Sequence, residues 1–295
     1  MPRPPRITDA GATSPLSFRI TRYFFIMPGP IRMRWMCLLL VFLPPLVWGQ
    51  GGPPLRTDDP GTPGNGNWEI NVGLTSDRRQ TERQFEAPLV DINYGLGDHL
   101  QLKFEMPYLV QGADNAPTRA SFGDGVAGVK WRFLENKKHD LAISFYPQLG
   151  IDSPTDVLES GATDYGRQIL LPLEITKKLG PVDANLEVGR WVTQHGPDQW
   201  LTGLAFGRQV TSKFEALAEL YNLRAVHAPD RETTFGLGGR LRLTKSLLFL
   251  IMAGRSFSGP SSGQPQFIGY AGLQIQLERK HAKQESDTQP GPSNH

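Results

Sequence analysis

From Trp68 to Leu277 apolar and polar residues alternate in runs of about ten, the period of two that belongs to β-strands. In the first run Trp68, Ile70, Val72 and Leu74 share one face and Glu69, Asn71 and Thr75 the other. Further on, Leu100, Leu102, Phe104, Met106 and Tyr108 oppose Gln101, Lys103 and Glu105. Ala127, Val129, Trp131 and Phe133 oppose Lys130 and Arg132. Charge keeps to one face. The alternation predicts about twelve strands, near 67–75, 85–95, 99–109, 124–134, 141–151, 167–177, 182–192, 199–209, 214–222, 232–243, 247–256 and 267–277. An even number of strands of this length suits a closed antiparallel transmembrane β-barrel of the outer-membrane type.

The connections form two alternating classes. Those at 95–98, 135–140, 178–181, 209–213 and 244–246 are mostly tight, and those at 76–84, 110–123, 152–166, 193–198, 222–231 and 257–266 mostly longer. Outer-membrane barrels show this asymmetry, with tight turns in the periplasm and longer loops outside.

A soluble barrel or a secreted β-sandwich has the same period with its apolar face turned inward, so periodicity alone does not choose. Three features favour the membrane. Mean hydropathy is −0.34, which excludes a helical membrane protein and suits strands that are half polar. The second face is dense in charge. Aromatics on the apolar face fall near strand ends, with Trp68, Tyr94, Trp131 and Phe214 toward the tight turns and Tyr108, Trp200 and Phe267 toward the longer loops, as two interfacial girdles would.

Residues 1–49 have the form of a secretory leader. Arg32 and Arg34 precede an apolar run from Met36 to Val47, and Val47-Trp48-Gly49 offers small-residue cleavage before Gln50. The run falls short of the about 20 apolar residues of a spanning helix. A start at Met27 or Met33 would give a leader of ordinary length. The single cysteine, Cys37, lies inside it, so the exported chain would carry no thiol. These 49 residues hold six of the 31 Lys and Arg but one of the 29 Asp and Glu, so the net charge of +2 becomes −3 in the remainder. Nothing in that charge favours nucleic acid as a partner.

The polar faces place a belt of charge in the half of the lumen nearer the tight turns: Glu69, Asp91, Lys103, Glu105, Lys130, Arg132, Glu174, Asp183, Glu187, Glu215, Glu219, Arg240 and Arg242. Hairpin register is expected to set Glu105 opposite Lys130 or Arg132, and Glu219 opposite Arg240. A mixed-sign belt either constricts a pore or simply satisfies buried charge, and for most single residues the second is expected. The Pro- and Gly-rich stretch 50–66, with Arg56, Asp58 and Asp59, has no strand pattern. It is expected to fold into the lumen as a small plug, against the alternative of a flexible leader. Leu170, Pro172, Leu248, Leu250 and Met252 are apolar at inward positions, a patch for an aromatic or acyl ligand or for the plug itself.

Two text motifs fail on context. Gly123-Asp-Gly125-Val-Ala-Gly128 matches the dinucleotide fingerprint, but a strand follows where that motif needs a helix. Gly259-Pro-Ser261-Ser-Gly263 matches a nucleophile elbow, but no helix follows. His99, His139, His195 and His227 sit singly in turns, without metal-ligand spacing. No cofactor, metal or catalytic residue is expected. The enzymatic alternative is an outer-membrane lipid hydrolase using His195 and Ser261; a further alternative is a structural or adhesion barrel acting through its outer loops.

Eight stretches carry a resemblance: PLRTDDPGTPG from Pro54, NWEIN from Asn67, PLVDINYGLGD from Pro88, QLKFEMPY from Gln101, GVKWRF from Gly128, LPLEITKKLGPV from Leu171, GPDQW from Gly196 and ETTFGLGGR from Glu232. In these the chain resembles the outer-membrane proteins named for a MetA pathway of phenol degradation. The resemblance covers about Pro54 to Leu277. It implies an outer-membrane barrel that takes up small aromatic compounds, with no catalytic or binding residues to transfer. Tyr270, Gly272, Ile275 and Leu277 resemble a signal for the barrel-insertion machinery, although a polar tail, 278–295, follows in place of a terminal aromatic. The expectation is therefore an outer-membrane channel for small molecules in a Gram-negative-type bacterium, with lipid, solute and the insertion machinery as partners.

Overall fold

The computed structural model describes residues 51–114, 116–151, 167–259 and 263–279. The leader, the polar tail from 280 and Ser261 lie outside these residues. The strands are β1 (Trp68–Arg78), β2 (Glu82–Leu96), β3 (Leu100–Ala113), β4 (Ala116–Phe122), β5 (Gly125–Asn136), β6 (Leu141–Phe145), β7 (Gln148–Ile151), β8 (Gln168–Leu179), β9 (Val182–Thr193), β10 (Gln199–Gln209), β11 (Phe214–Ala225), β12 (Arg231–Arg242), β13 (Leu247–Ser256) and β14 (Phe267–Leu277). Gly123 and Asp124 interrupt one long strand to make β4 and β5, and Tyr146 and Pro147 interrupt another to make β6 and β7. Twelve staves result, each antiparallel to its neighbours.

The sheet closes on itself. β1 pairs with β14 over its whole length, from Trp68 opposite Leu277 to Arg78 opposite Phe267. On the far side β3 pairs with β5, β5 with β6 and β7, and both of these with β8. Closure is what a strand needs in hydrocarbon, where no water is present to bond an unpaired N–H or C=O. Among the described residues no helix is long and apolar enough to cross a membrane.

Side chains are distributed inside out relative to a soluble protein. Leu237, Leu74 and Trp131 on the outer face are 57%, 56% and 54% exposed, while Glu174, Asn71 and Asp91 on the inner face are 0%, 1% and 2% exposed. A sandwich with a dry interior would reverse these values, which rules out the soluble alternative. Aromatics flank the apolar band. Near the tight turns the rings of Trp68 and Tyr94 lie 4.6 Å apart and those of Trp131 and Phe133 5.6 Å apart. Near the other end Tyr108 meets Phe122 edge-on at 5.4 Å, and Arg190 lies 5.4 Å from the ring of Trp200.

Two connections expected to be long are ladder instead. β1 and β2 stay paired as far as Arg78 opposite Arg83, leaving only 79–81 between them, and β3 and β4 stay paired as far as Ala113 opposite Ala116. Period-two patterning fades there because the hairpins run on beyond the apolar band, where neither face must be oily.

The outer face should tolerate charge poorly. Leu237→Arg, in the middle of β12, is expected to lower the unfolding free energy in liposomes by about 2–4 kcal/mol. Equilibrium denaturation would measure it, and a cost near zero would place that face in water.

Candidate functional site

The site is the lumen, and many of its contacts come from residues 51–66. Glycine and proline keep this stretch irregular, so its backbone groups stay available to the wall. Arg240 donates to the carbonyl oxygens of Gly51 at 2.7 Å and Pro53 at 2.9 Å. Thr57 N–H donates to Glu219 Oε1 at 2.6 Å, and Asp58 N–H to Glu187 Oε2 at 2.9 Å. Lys130 Nζ donates to Asp58 Oδ1 at 2.9 Å and also to the Asp59 carbonyl. Two wall glycines make room. A Cβ on Gly95 would fall onto the Gly64 carbonyl, and one on Gly203 onto the Thr57 hydroxyl.

The two aspartates of the segment differ. Burial pushes both carboxyls up. At Asp58 the charges of Lys130 and Lys103 outweigh it and hold the group below the ordinary aspartate value. At Asp59 burial prevails and the group stays above that value. Asp59 turns back on its own chain, accepting from the N–H groups of Gly51 and Gly61. It shapes the segment, while Asp58 binds the wall.

The expected charge belt divides into separate clusters. Lys103 lies 2.8 Å from Glu105 and 3.6 Å from Asp91, with Asn71 and Asn93 donating to Asp91 at 3.1 Å each. Asn71 also lies 3.4 Å from Glu69. Lys130 lies 3.4 Å from Glu174, which also accepts from Ser144 at 2.5 Å, and 4.5 Å from the centre of the Tyr146 ring. Arg240 lies 3.4 Å from Glu215. Glu187 and Glu219 serve the segment, and Asp183 is buried at the start of β9. Arg132 faces the tight-turn rim, donating to the Asp98 carbonyl at 2.6 Å and lying 3.3 Å from Glu135. Arg242, half-buried at the end of β12, is not joined to these clusters by any contact described.

Both expected cross-strand pairs are displaced. Glu105 stands opposite Val126 and Lys130 opposite Gln101; Glu219 stands opposite Gly236, and it is Glu215 that faces Arg240. For Glu105 the cause is the β3–β4 ladder, which runs to Ala113 opposite Ala116 and so turns ahead of the midpoint of 110–123, carrying its register on into β3–β5. In β11–β12 the actual register exchanges one glutamate for another four positions along the same face, since period two preserves the face and not the height.

The apolar inward residues also separate. Leu248, Leu250 and Met252 pack with Leu217, Ile268 and Tyr270 around Leu55 of the segment. Leu170 belongs to another cluster, with Leu201 and Tyr221, against which Trp191 and Leu223 pack. Pro172 is buried on β8.

The sequence reading missed a group at the long-loop end. Arg56 lies 3.0 Å from Glu232, and its guanidinium sits 4.0 Å from the centre of the Tyr221 ring. Arg79 lies 3.0 Å from Glu232 and 3.0 Å from Asp77. Parity along β12 would have found Glu232, which shares the inward face with Thr234 and Arg240. His99, His139, His195 and His227 occupy four different connections. Among the described residues no group of three metal-ligating side chains comes together.

Space is divided along the axis. At the long-loop end, cavities of about 470 and 550 Å³ share Arg79 in their walls. At the tight-turn end, a cavity of about 680 Å³ is lined by Thr62, His99 and Arg132. Between them, where Asp58, Asp91 and Lys130 meet, about 40 Å³ remains.

No family model matches the sequence, and no curated protein matches it. Among solved structures the chain is similar to an outer-membrane channel of Pseudomonas putida F1, at 13% identity over 77% of this chain and 99% of that one, with a TM-score of 0.57. It is also similar to the NanC porin, at 5% identity over 71% of this chain and 100% of that one, with a TM-score of 0.51. The likeness is one of fold, an antiparallel β-barrel of the outer-membrane type.

Lys130 should be the costliest belt residue to neutralise. Lys130→Met leaves Glu174 and Asp58 facing each other unpaired, and a loss of about 3–5 kcal/mol is expected on denaturant unfolding. Adding Glu174→Gln should recover part of it; a double variant whose cost equals the sum of the Lys130→Met and Glu174→Gln single costs would show that the two groups are not coupled.

Proposed function

We propose that the protein is an outer-membrane channel for small molecules, exported through a cleaved leader, whose lumen is closed at rest by residues 51–66. The observation that carries this reading is the division of space. Open cavities lie at both ends of a closed barrel, and the narrow middle is occupied by a segment tied to the wall through its own backbone. A permanent structural core would be expected to come from the wall strands themselves. Here it comes from a stretch joined to the barrel at one end, whose withdrawal would leave the hydrogen-bonded ladder intact.

Aromatic or otherwise apolar solutes are the substrate class that the resemblance to the MetA phenol-pathway proteins suggests. Supporting it, Tyr221, Leu201, Leu170 and Trp191 offer an apolar wall inside the lumen. The channel reading is preferred to a lipid hydrolase because the chemistry of the lumen is one of paired charges filled by a segment.

Single-channel recording in a planar bilayer tests the proposal. The chain from Gln50 onward should show few and small conductance steps, and deletion of 51–66 should yield frequent, larger ones. A deletion variant that retains heat-modifiable mobility on gels, and so a folded barrel, but passes no more current than the parent would overturn the proposal.

A further inference from the structure

The tip of the lumen segment is the only part of it to reach toward the long-loop end with a charged side chain, and the place it occupies has the composition of a ligand site. Arg56 presents a flat, delocalised cation to a carboxylate, Glu232, at 3.0 Å and to an aromatic face, Tyr221, at 4.0 Å. A carboxylate beside an aromatic face is the pair of groups that selects guanidinium, amidinium and alkylammonium heads.

Two further observations fit this place to a ligand. Directly below, Glu219 is 2% exposed; its Oε1 accepts from the N–H of Thr57, the residue after Arg56, while its Oε2 has no hydrogen-bond partner among the described residues. A buried carboxylate oxygen left idle beside a bound cation is an acceptor waiting for a second N–H. Above, Glu232 and Arg79 line the cavity of about 550 Å³ at the long-loop end, so Glu232 is within reach of a solute that has not yet passed the segment.

The sign of the site follows from its surroundings. Arg79 is shared between Asp77 and Glu232 and balances only part of the local negative charge. Lower down, buried wall carboxylates outnumber buried wall cations, with Glu187 next in line behind Asp58 N–H. When Arg56 moves aside, the path it uncovers is acidic. An anion would meet Glu232, Glu219 and Glu187 in turn.

We propose that Glu232, Glu219 and the face of Tyr221 form a binding site for a small organic cation bearing a guanidinium, amidinium or primary ammonium head, and that Arg56 is its built-in occupant. A solute of this class entering from the long-loop end takes the place of Arg56, releases the tip of the segment and places itself at the head of the acidic path. Leu223, in the wall of the same cavity and packed on the Tyr221 cluster, leaves room for an apolar body behind the charged head. The inference rests on the channel reading for its consequence, gating, but the site can be tested without it.

Benzamidine is the probe, with benzamide and benzoate as its neutral and anionic counterparts. Binding to the folded barrel in detergent is measured by calorimetry for the parent chain, Arg56→Ala and Glu232→Gln. Removing the internal competitor should tighten benzamidine binding by about tenfold, and Glu232→Gln in the Arg56→Ala background should weaken it by a similar factor. Benzamide and benzoate should bind none of them measurably. Absence of benzamidine binding to Arg56→Ala, or equal binding of all three probes, would overturn the site. In bilayers, benzamidine should raise the open probability of the parent chain and leave Arg56→Ala unchanged. If the 51–66 deletion conducts and the binding pattern holds, but benzamidine leaves the parent chain closed, the cation site stands and its gating role falls. If the deletion does not conduct, the channel reading fails while the binding experiment still decides the site.

Discussion

Hydrocarbon offers a peptide bond no partner, and everything else in this structure follows from that. The sheet must close so that each N–H and C=O meets another strand, and its outer face must be apolar. Polar side chains are thereby turned inward, where they are nearly as dry as in a protein core unless something wet or polar fills the lumen. The wall does not balance itself. Asp91, Glu174, Asp183, Glu187, Glu215 and Glu219 are buried against Lys130 and Arg240 as the buried cations of the strands. Residues 51–66 supply what the wall lacks, peptide N–H groups for Glu187 and Glu219 and peptide carbonyls for Arg240. A segment used for its backbone gains from having glycine and proline, which keep it out of helix and strand and leave those groups unspent.

The strands were legible because membrane and lumen demand opposite residues at successive positions. The run from Phe267 to Leu277, for example, is bounded to the residue by its alternation. Heights within the lumen were not legible. Period two tells which face a residue joins, while axial offset depends on where each hairpin turns, and the ladder beyond the apolar band carries no pattern to mark the tip. Hence Glu215 stands where Glu219 was expected, opposite Arg240.

The contacts of the segment were legible in type and not in partner. Arg56, Asp58 and Asp59 marked it as charged, and a charged stretch beside a charged lumen implies docking. Yet each charge does something different. Asp58 meets Lys130 of the belt, Asp59 folds the segment on itself, and Arg56 passes beyond the belt to Glu232. Smaller inward groups could be placed on the polar face, as Asn71 and Gln101 are, but without charge they pointed to no partner. Ser144 on Glu174, Asn71 on Asp91 and Gln101 on Asn93 complete the buried networks.

These attachments are unequal in strength, and that bears on how the segment could move. Its lower part is held by Lys130, nearly dry at 2% exposure of its side chain, and by an Arg240 guanidinium spread over several carbonyls. Breaking either takes hydrogen-bond acceptors from a buried cation that has little water to replace them, which is costly. Its tip is held by Arg56, whose side chain is 33% exposed beside a cavity open to the long-loop end. Water can replace part of that pairing as it breaks, and exposed pairs are worth about 0.2–1 kcal/mol. The tip is therefore the part of the segment that yields first, and a solute acting from the long-loop end meets the weakest attachment before the strongest.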